Sequence, residues 1–256
     1  MSEAPNACPP LFQRIAGVLS SRRLKRFKGS DLTEIERKVA DYYASQSGAD
    51  YYKTLAQQNL WADMTRHKNF EFHCKAATDI LDFGCGAGGL SVELKKHFPG
   101  KRIFALDIGA HAAALINRAK ANIVFKAGSV LDAPLESASI DLIISRFVIE
   151  HTTRPEKMIS EAFRILRPNG ILYLLYPQLI FKVTLTTAIQ EALSWLIPSN
   201  TLTYLDPQIG EHTGDADDQD AVWLTNPVKI RSLLSHAGFR ILTNKPSQSL
   251  VIAKKA

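Results

Sequence analysis

The chain has 256 residues, 46% hydrophobic and 22% charged, the balance of an ordinary globular protein with room for one α/β domain or two small ones. Its three cysteines, Cys8, Cys74 and Cys85, are scattered and lack C-x-x-C or paired-histidine spacing, which argues against a disulfide framework or a zinc site and for a reducing, cytoplasmic setting. The net charge is +6, but six basic residues against one acid fall within residues 1–30, so the remainder is close to neutral.

The basic arm, 1–30, comes first. Arg14, Arg22, Arg23, Lys25, Arg26 and Lys28 alternate with Leu11, Phe12, Ile15, Val18, Leu19 and Leu24 at roughly helical spacing. That suits either peripheral contact with an anionic membrane surface or a loosely packed terminal helix. The arm lacks a long apolar core with a small-residue cleavage site, so no secretion signal is expected. Nucleic acid binding needs a basic surface on the folded domain, so no nucleic-acid partner is expected either.

Residues 31–45 read as a helix capped by Ser30 or Asp31, with Leu32, Ile35, Val39 and Tyr42 or Tyr43 on one face. An aromatic-rich segment, 51–74, follows. Then an alternation begins. Strands are expected at 79–83, 102–107, 123–126, 140–145 and 171–176, and helices at 88–97, 110–121 and 155–166. In the last of these helices Met158, Ala162, Ile165 and Leu166 point inward. After an interruption at 178–225 come a helix at 226–238 and strands at 240–243 and 250–253. The interruption holds an apolar helix-like piece, 179–196, and an acidic loop, 210–220. Pro177, Gln178, Lys182, Gln190 and Glu191 break the apolar run too often for a membrane span, so a lid is the better reading. Short apolar strands alternating with helices mean a parallel sheet covered on both faces. The domain therefore runs over 31–256, with a lid insertion at 178–225.

The first strand runs into "ILDFGCGAGGL". Read from Gly84 it fits G-x-G-x-x-G, the dinucleotide fingerprint. Read from Asp82 it fits D-x-G-x-G-x-G, a turn that holds S-adenosylmethionine. Glycines at a strand-to-helix turn let a ligand approach backbone and helix N-terminus in both cases. Asp82 separates them. A carboxylate beside a pyrophosphate repels it, whereas one beside an ammonium and a sulfonium is complementary. Asp107 closes the next strand, where a carboxylate grips ribose hydroxyls. Both ligands carry that ribose. Asp107 also stands where it could cap the following helix, and a carboxylate facing the cleft is expected to matter for ligand more than for stability.

With "AGSVLDAPLESASIDLIISRFVIEH" and "ILRPNGILYLLYP" continuing in step, residues 77–176 resemble the class I S-adenosylmethionine-dependent methyltransferases. The resemblance is to the small-molecule group that includes the ubiquinone- and menaquinone-pathway enzymes. It implies a Rossmann-like, doubly wound, mostly parallel seven-stranded sheet with helices on both faces and an antiparallel last strand. It implies S-adenosyl-L-methionine as cofactor. Asp82, Gly84 and Gly86, with Gly88 in the same turn, would meet the methionine moiety, and Asp107 the ribose. Ile108 would lie on the adenine, and Ser129 and Val130 at its edge, where the family often has an acid in place of Ser129. Arg146 follows the fourth strand, where backbone meets the methionine end. Asn169 stands in "LRPNG", where the family usually has glycine, and is expected to keep a left-handed turn. Cys85 is expected to be a small buried side chain.

Methyl transfer mainly needs two reactants held in line, plus a base where the acceptor must lose a proton. Glu150 and His151 follow "SRFVI" on the rim where doubly wound sheets bind ligands, so they are the catalytic candidates. Tyr176, Tyr204 and His212 are further residues with access. Leu179, Ile180, Phe181, Trp195, Tyr204 and Trp223 suit an apolar or lipid-linked acceptor, and acidic residues within 215–220 suit a sugar. Two other functions fit less well: a non-catalytic S-adenosylmethionine-binding partner subunit, and an NAD-dependent oxidoreductase.

Overall fold

The computed structural model describes residues 29–45, 48, 50, 60–67, 69–118, 122–176, 227–245, 248 and 250–256. The basic arm through residue 28 and the insertion at 178–225, with Tyr204 and His212, lie outside the described residues.

Helices α1 (Gly29–Ala44), α2 (Leu60–Thr65) and α3 (Phe70–Ala76) precede the alternation. Then come β1 (Asp79–Phe83), α4 (Gly89–His97), β2 (Arg102–Asp107), α5 (His111–Arg118), β3 (Val124–Ala127) and β4 (Ile140–Arg146). A 3-10 turn (Ile149–His151), α6 (Pro155–Ile165), β5 (Leu166–Leu175), α7 (Pro227–His236), β6 (Phe239–Lys245) and β7 (Leu250–Lys255) complete the order.

The strands form a seven-stranded sheet in the order β3-β2-β1-β4-β5-β7-β6. Pairings from β3 through β5 are parallel, and β7 runs antiparallel to both β5 and β6. The expected doubly wound sheet with its antiparallel last strand is present. Every residue of β1 is buried, as a central parallel strand requires. Alternate strand residues face opposite layers. Leu81, Phe83, Ile143, Leu172 and Leu174 pack with Met158, Ile159, Ala162 and Ile165 of α6 and Ile230 and Leu234 of α7. Ile80, Leu142, Ile144, Tyr173 and Leu175 pack with Leu60 and Met64 of α2, Phe70 and Cys74 of α3, and Leu90 and Leu94 of α4. The chain leaves β1 toward β2 on one side and returns through β4 on the other. The crevice at the carboxyl ends of β1 and β4 is thus the topological switch point, where open α/β sheets bind ligands.

Several boundaries differ from expectation. The helix expected at 155–166 ends at Ile165, and Leu166 already pairs with Ile140 as the first residue of β5. The ladder then resumes at Leu142 and Ile171, so residues 167–170 bulge out. Asn169 sits in that bulge with φ 68°, the left-handed turn the sequence suggested. Tyr42 and Tyr43 of α1 are both buried, while the side chains of Leu32, Ile35 and Val39 lie outside the described residues.

The opposite end of the sheet is tied by charge. Asp79, 1% exposed, accepts from Arg102 and faces Arg167 Nη2 at 2.8 Å. Asp141 accepts from the Thr78 and Asp79 N–H groups at 2.9 Å each and from Arg167 Nη1 at 2.6 Å. Burial alone would raise the Asp141 carboxyl. The bonds from Arg167 and the two N–H groups outweigh it and hold the carboxyl below its usual range. Among the described residues no helix is long and apolar enough to cross a membrane, and no cluster of His, Cys, Asp or Glu could hold a metal ion.

Candidate active site

The glycine turn is built by backbone first. The N–H groups of Gly84 and Cys85 both donate to Leu106 O, at 2.9 and 2.8 Å, which folds the turn onto the end of β2. Gly84 has φ 83°, and a Cβ there would stand 2.4 Å from Val148 Cγ2. Gly88 has φ 74°, and its Cβ would stand 2.5 Å from Ile116 Cγ1. Both positions require glycine for backbone conformation and for the side chains that press on them. Gly88 also precedes the first residue of α4, so the turn delivers the chain to a helix N-terminus.

Two carboxyls flank the turn. Asp82, the penultimate residue of β1, lies beneath it, 2% exposed, and accepts from the buried Ser91 hydroxyl on α4 at 2.6 Å. Burial pushes the Asp82 carboxyl up to about 6. The Ser91 hydrogen bond and Arg146 act against that rise, and Asp107 adds to it. Asp107 ends β2. Its Oδ2 accepts from the Gly86 N–H at 2.7 Å, and its Oδ1 from the Gly109 N–H at 2.9 Å. The helix-capping role does not appear: α5 starts at His111, and Asp107 instead clamps the glycine turn to its own loop. These two backbone bonds tie the turn in the absence of ligand, a role the sequence reading did not assign to this carboxylate.

The next loops complete the rim. Ile108 is partly exposed beside Asp107. The Ser129 hydroxyl accepts from the Leu131 N–H at 3.1 Å, and Val130 packs against the core. Arg146 ends β4. It lies 3.9 Å from Asp63 of α2 and 4.7 Å above the Phe147 ring. Phe147 has φ 54° and is partly exposed, a strained backbone of the kind that collects at functional sites. That turn sends Val148 down onto Gly84. The buried Ser145 hydroxyl donates to Phe83 O at 3.0 Å and joins the ends of β4 and β1.

Beyond Val148, Glu150 is buried and His151 is mostly buried, with His151 Nε2 3.9 Å from Glu150 Oε1. Helix α1 is docked on this loop. The Thr153 hydroxyl donates to Glu36, Arg154 Nε lies 3.2 Å from Glu36, and Arg154 Nη2 donates to Thr33 at 3.2 Å. Tyr176 does not share the open rim. It is 1% exposed within the core cluster, and burial raises its hydroxyl. The Cys85 thiol is also buried. Burial first, then Asp107 and Asp82, push it well above the usual range, so it is no thiolate nucleophile.

Residues 81–174 match the family model described as a methyltransferase domain. Over that stretch the chain carries a methyltransferase domain. Malonyl-[acyl-carrier protein] O-methyltransferase of Hahella chejuensis is 33% identical over 147 residues, 55% of this chain and 52% of that protein. Demethylmenaquinone methyltransferase of Lactococcus lactis is 28% identical over 146 residues, 53% of this chain and 56% of that protein. The chain thus spans about half the length of the curated relatives it matches. The structure of human N-acetylserotonin methyltransferase in complex with S-adenosylmethionine superimposes with a TM-score of 0.56 at 17% identity. It covers 96% of this chain and 66% of that one, a likeness of fold.

In this protein Asp82, Gly84, Gly86, Gly88, Asp107 and Arg146 converge on the switch point, and Glu150 and His151 follow on the adjoining loop. Sequence reasoning missed Ser91, Ser145, Asp63 and Phe147. Only Ser91 left a local signal: it falls in the first turn of the helix that the glycines open.

Proposed function

We propose that this protein transfers the methyl group of S-adenosylmethionine to a small-molecule or lipid- or sugar-linked acceptor. The observation that carries the reading is the pair of buried carboxyls, Asp82 and Asp107, at the glycine turn. Such a pair fits a ligand with a cationic end and a ribose, and it repels a pyrophosphate. Asp82, the glycine turn and Arg146 would hold the methionine end. Asp107 would hold the ribose, and Ile108, Ser129 and Val130 the adenine side. When bound, S-adenosylmethionine supplies a methyl on a sulfonium whose thioether leaves without an acid. The protein's own task is to position the acceptor, and Val148 and Phe147 bring the β4 loop over the turn to do so. For a hydroxyl acceptor, His151 takes the proton, with Glu150 beside it to steady the imidazolium.

The two curated relatives are named for a malonyl group on a carrier protein and for demethylmenaquinone, acceptors of this broad kind. The basic arm, 1–30, is the segment proposed for peripheral contact with anionic lipid. Vesicle sedimentation with and without residues 1–28 tests that contact, and equal binding by both forms removes it. Calorimetry with S-adenosylmethionine and NAD tests the donor. Tighter binding of NAD would overturn the assignment. A labelled-methyl assay against cell extract then identifies the acceptor, and donor binding without turnover on any acceptor would mark a non-catalytic subunit.

A further inference from the structure

Asp82 and Ser91 are both buried, and the Ser91 hydroxyl donates to Asp82 Oδ2 at 2.6 Å. The bond crosses beneath the glycine turn, from the end of β1 to the first turn of α4. The groups that face Asp82 come from each element packed there. Asp107 on β2 opposes its ionisation, and Arg146 on β4 favours it. The Cys85 thiol within the turn stays neutral. A buried carboxyl gains its charged form only where fixed donors replace the hydration it has lost. Ser91 is such a donor.

Resting on the reading of this turn as the donor site, we propose that Ser91 is a positioning residue. Its hydroxyl keeps the Asp82 carboxylate ionised and in place for the cationic methionine end of the donor. Burial raises the Asp82 midpoint to about 6, and the Ser91 bond works against that rise. Taking the hydroxyl away lifts the midpoint further. Donor binding needs the charged carboxylate, so affinity is present above the midpoint and lost as pH falls through it.

The test uses the full chain and two measurements. The first needs no ligand: carbon-13 NMR titration of the aspartate carboxyls, with Asp82 assigned by its loss in Asp82→Asn. The wild-type midpoint is expected near 6. It should rise by about one unit in Ser91→Ala and return toward wild type in Ser91→Thr. The second is calorimetric affinity for S-adenosylhomocysteine across the same range. A one-unit shift makes Ser91→Ala about fivefold weaker at pH 6 and nearly equal to wild type above about pH 8.5. An Asp82 midpoint that stays or falls in Ser91→Ala overturns the proposal. So does a loss of affinity by the same factor at every pH, the mark of a merely structural role. Wild-type protein that binds no S-adenosylhomocysteine at any pH would overturn the donor reading instead, while the ligand-free titration judges Ser91 by itself.

Discussion

Replacing Asp107 by alanine should damage the empty protein as well as donor binding. The carboxylate is 7% exposed and accepts from two backbone N–H groups, Gly86 at 2.7 Å and Gly109 at 2.9 Å. The backbone of the same residue adds a third tie, since Asp107 O accepts from the Gly128 N–H at 2.9 Å, and that bond survives the change. A hydrogen bond to a charged group contributes about 1.5–3 kcal/mol, and part of the loss is offset because folding of the variant no longer desolvates a carboxylate. A net cost of about 2–4 kcal/mol follows. For a domain of this size that lowers Tm by roughly 5–15 °C. The assay is thermal unfolding without ligand, paired with calorimetry against S-adenosylhomocysteine. Affinity should fall at least about tenfold, because the ribose loses its acceptor and the turn loses its clamp. Asp107→Asn keeps one acceptor and turns its amide N–H₂ toward a donor, so it should fall between. An unchanged Tm with lost affinity would refute the reasoning and leave the carboxylate with a ligand role only.

Asp82→Asn should stabilise the fold while abolishing donor binding. The folded midpoint, about 6, lies above the ordinary 3.8, so the folded state holds the proton more tightly between those values. Asp82 therefore makes stability fall as pH rises through that window. The amide should raise stability at neutrality by about 1–3 kcal/mol and remove that slope, read by denaturant titration across pH. Asp79→Ala unties the far end of the sheet and should lower Tm by at least about 5 °C with S-adenosylhomocysteine affinity unchanged. A matching loss of affinity would show that the two ends are coupled. Gly84→Ala should cost more than about 2 kcal/mol, and adding Val148→Ala should recover the clash but not the roughly 1 kcal/mol of left-handed backbone strain. Full recovery would mean that φ does not matter there. With a hydroxyl acceptor, His151→Ala should slow turnover by ~10²–10⁴-fold and flatten the pH profile at unchanged donor affinity. A near-normal rate would leave His151 a structural residue of the rim.

Local pattern settled the order of strands and helices from β1 onward, but not the helices α2 and α3 within the aromatic-rich segment. Apolar runs with a period of two or of 3.6, broken by glycine and proline, depend only on neighbours in sequence. Asp82 beside Gly84, and Asp107 at the end of the next strand, were legible for the same reason. Both sit at fixed offsets from a turn whose φ values demand glycine. Asn169 was legible too, because a left-handed turn is a property of its own residue and the bulge around it. Partners were not legible. Ser91 meets Asp82 only because α4 lies over the end of β1, and Asp107 reaches Gly86 only because β1 and β2 pair in register. Glu36 meets Thr153 across 117 residues, through the docking of α1 on the β4 loop. Tyr176 follows the last residue of β5, yet its ring turns into the core layer shared with α6 and α7. Sequence spacing states which face of an element is apolar. Which elements lie against that face, and so which carboxyls share a turn and which hydroxyl holds them, follows from strand order and crossover, and these exist only once the sheet has closed.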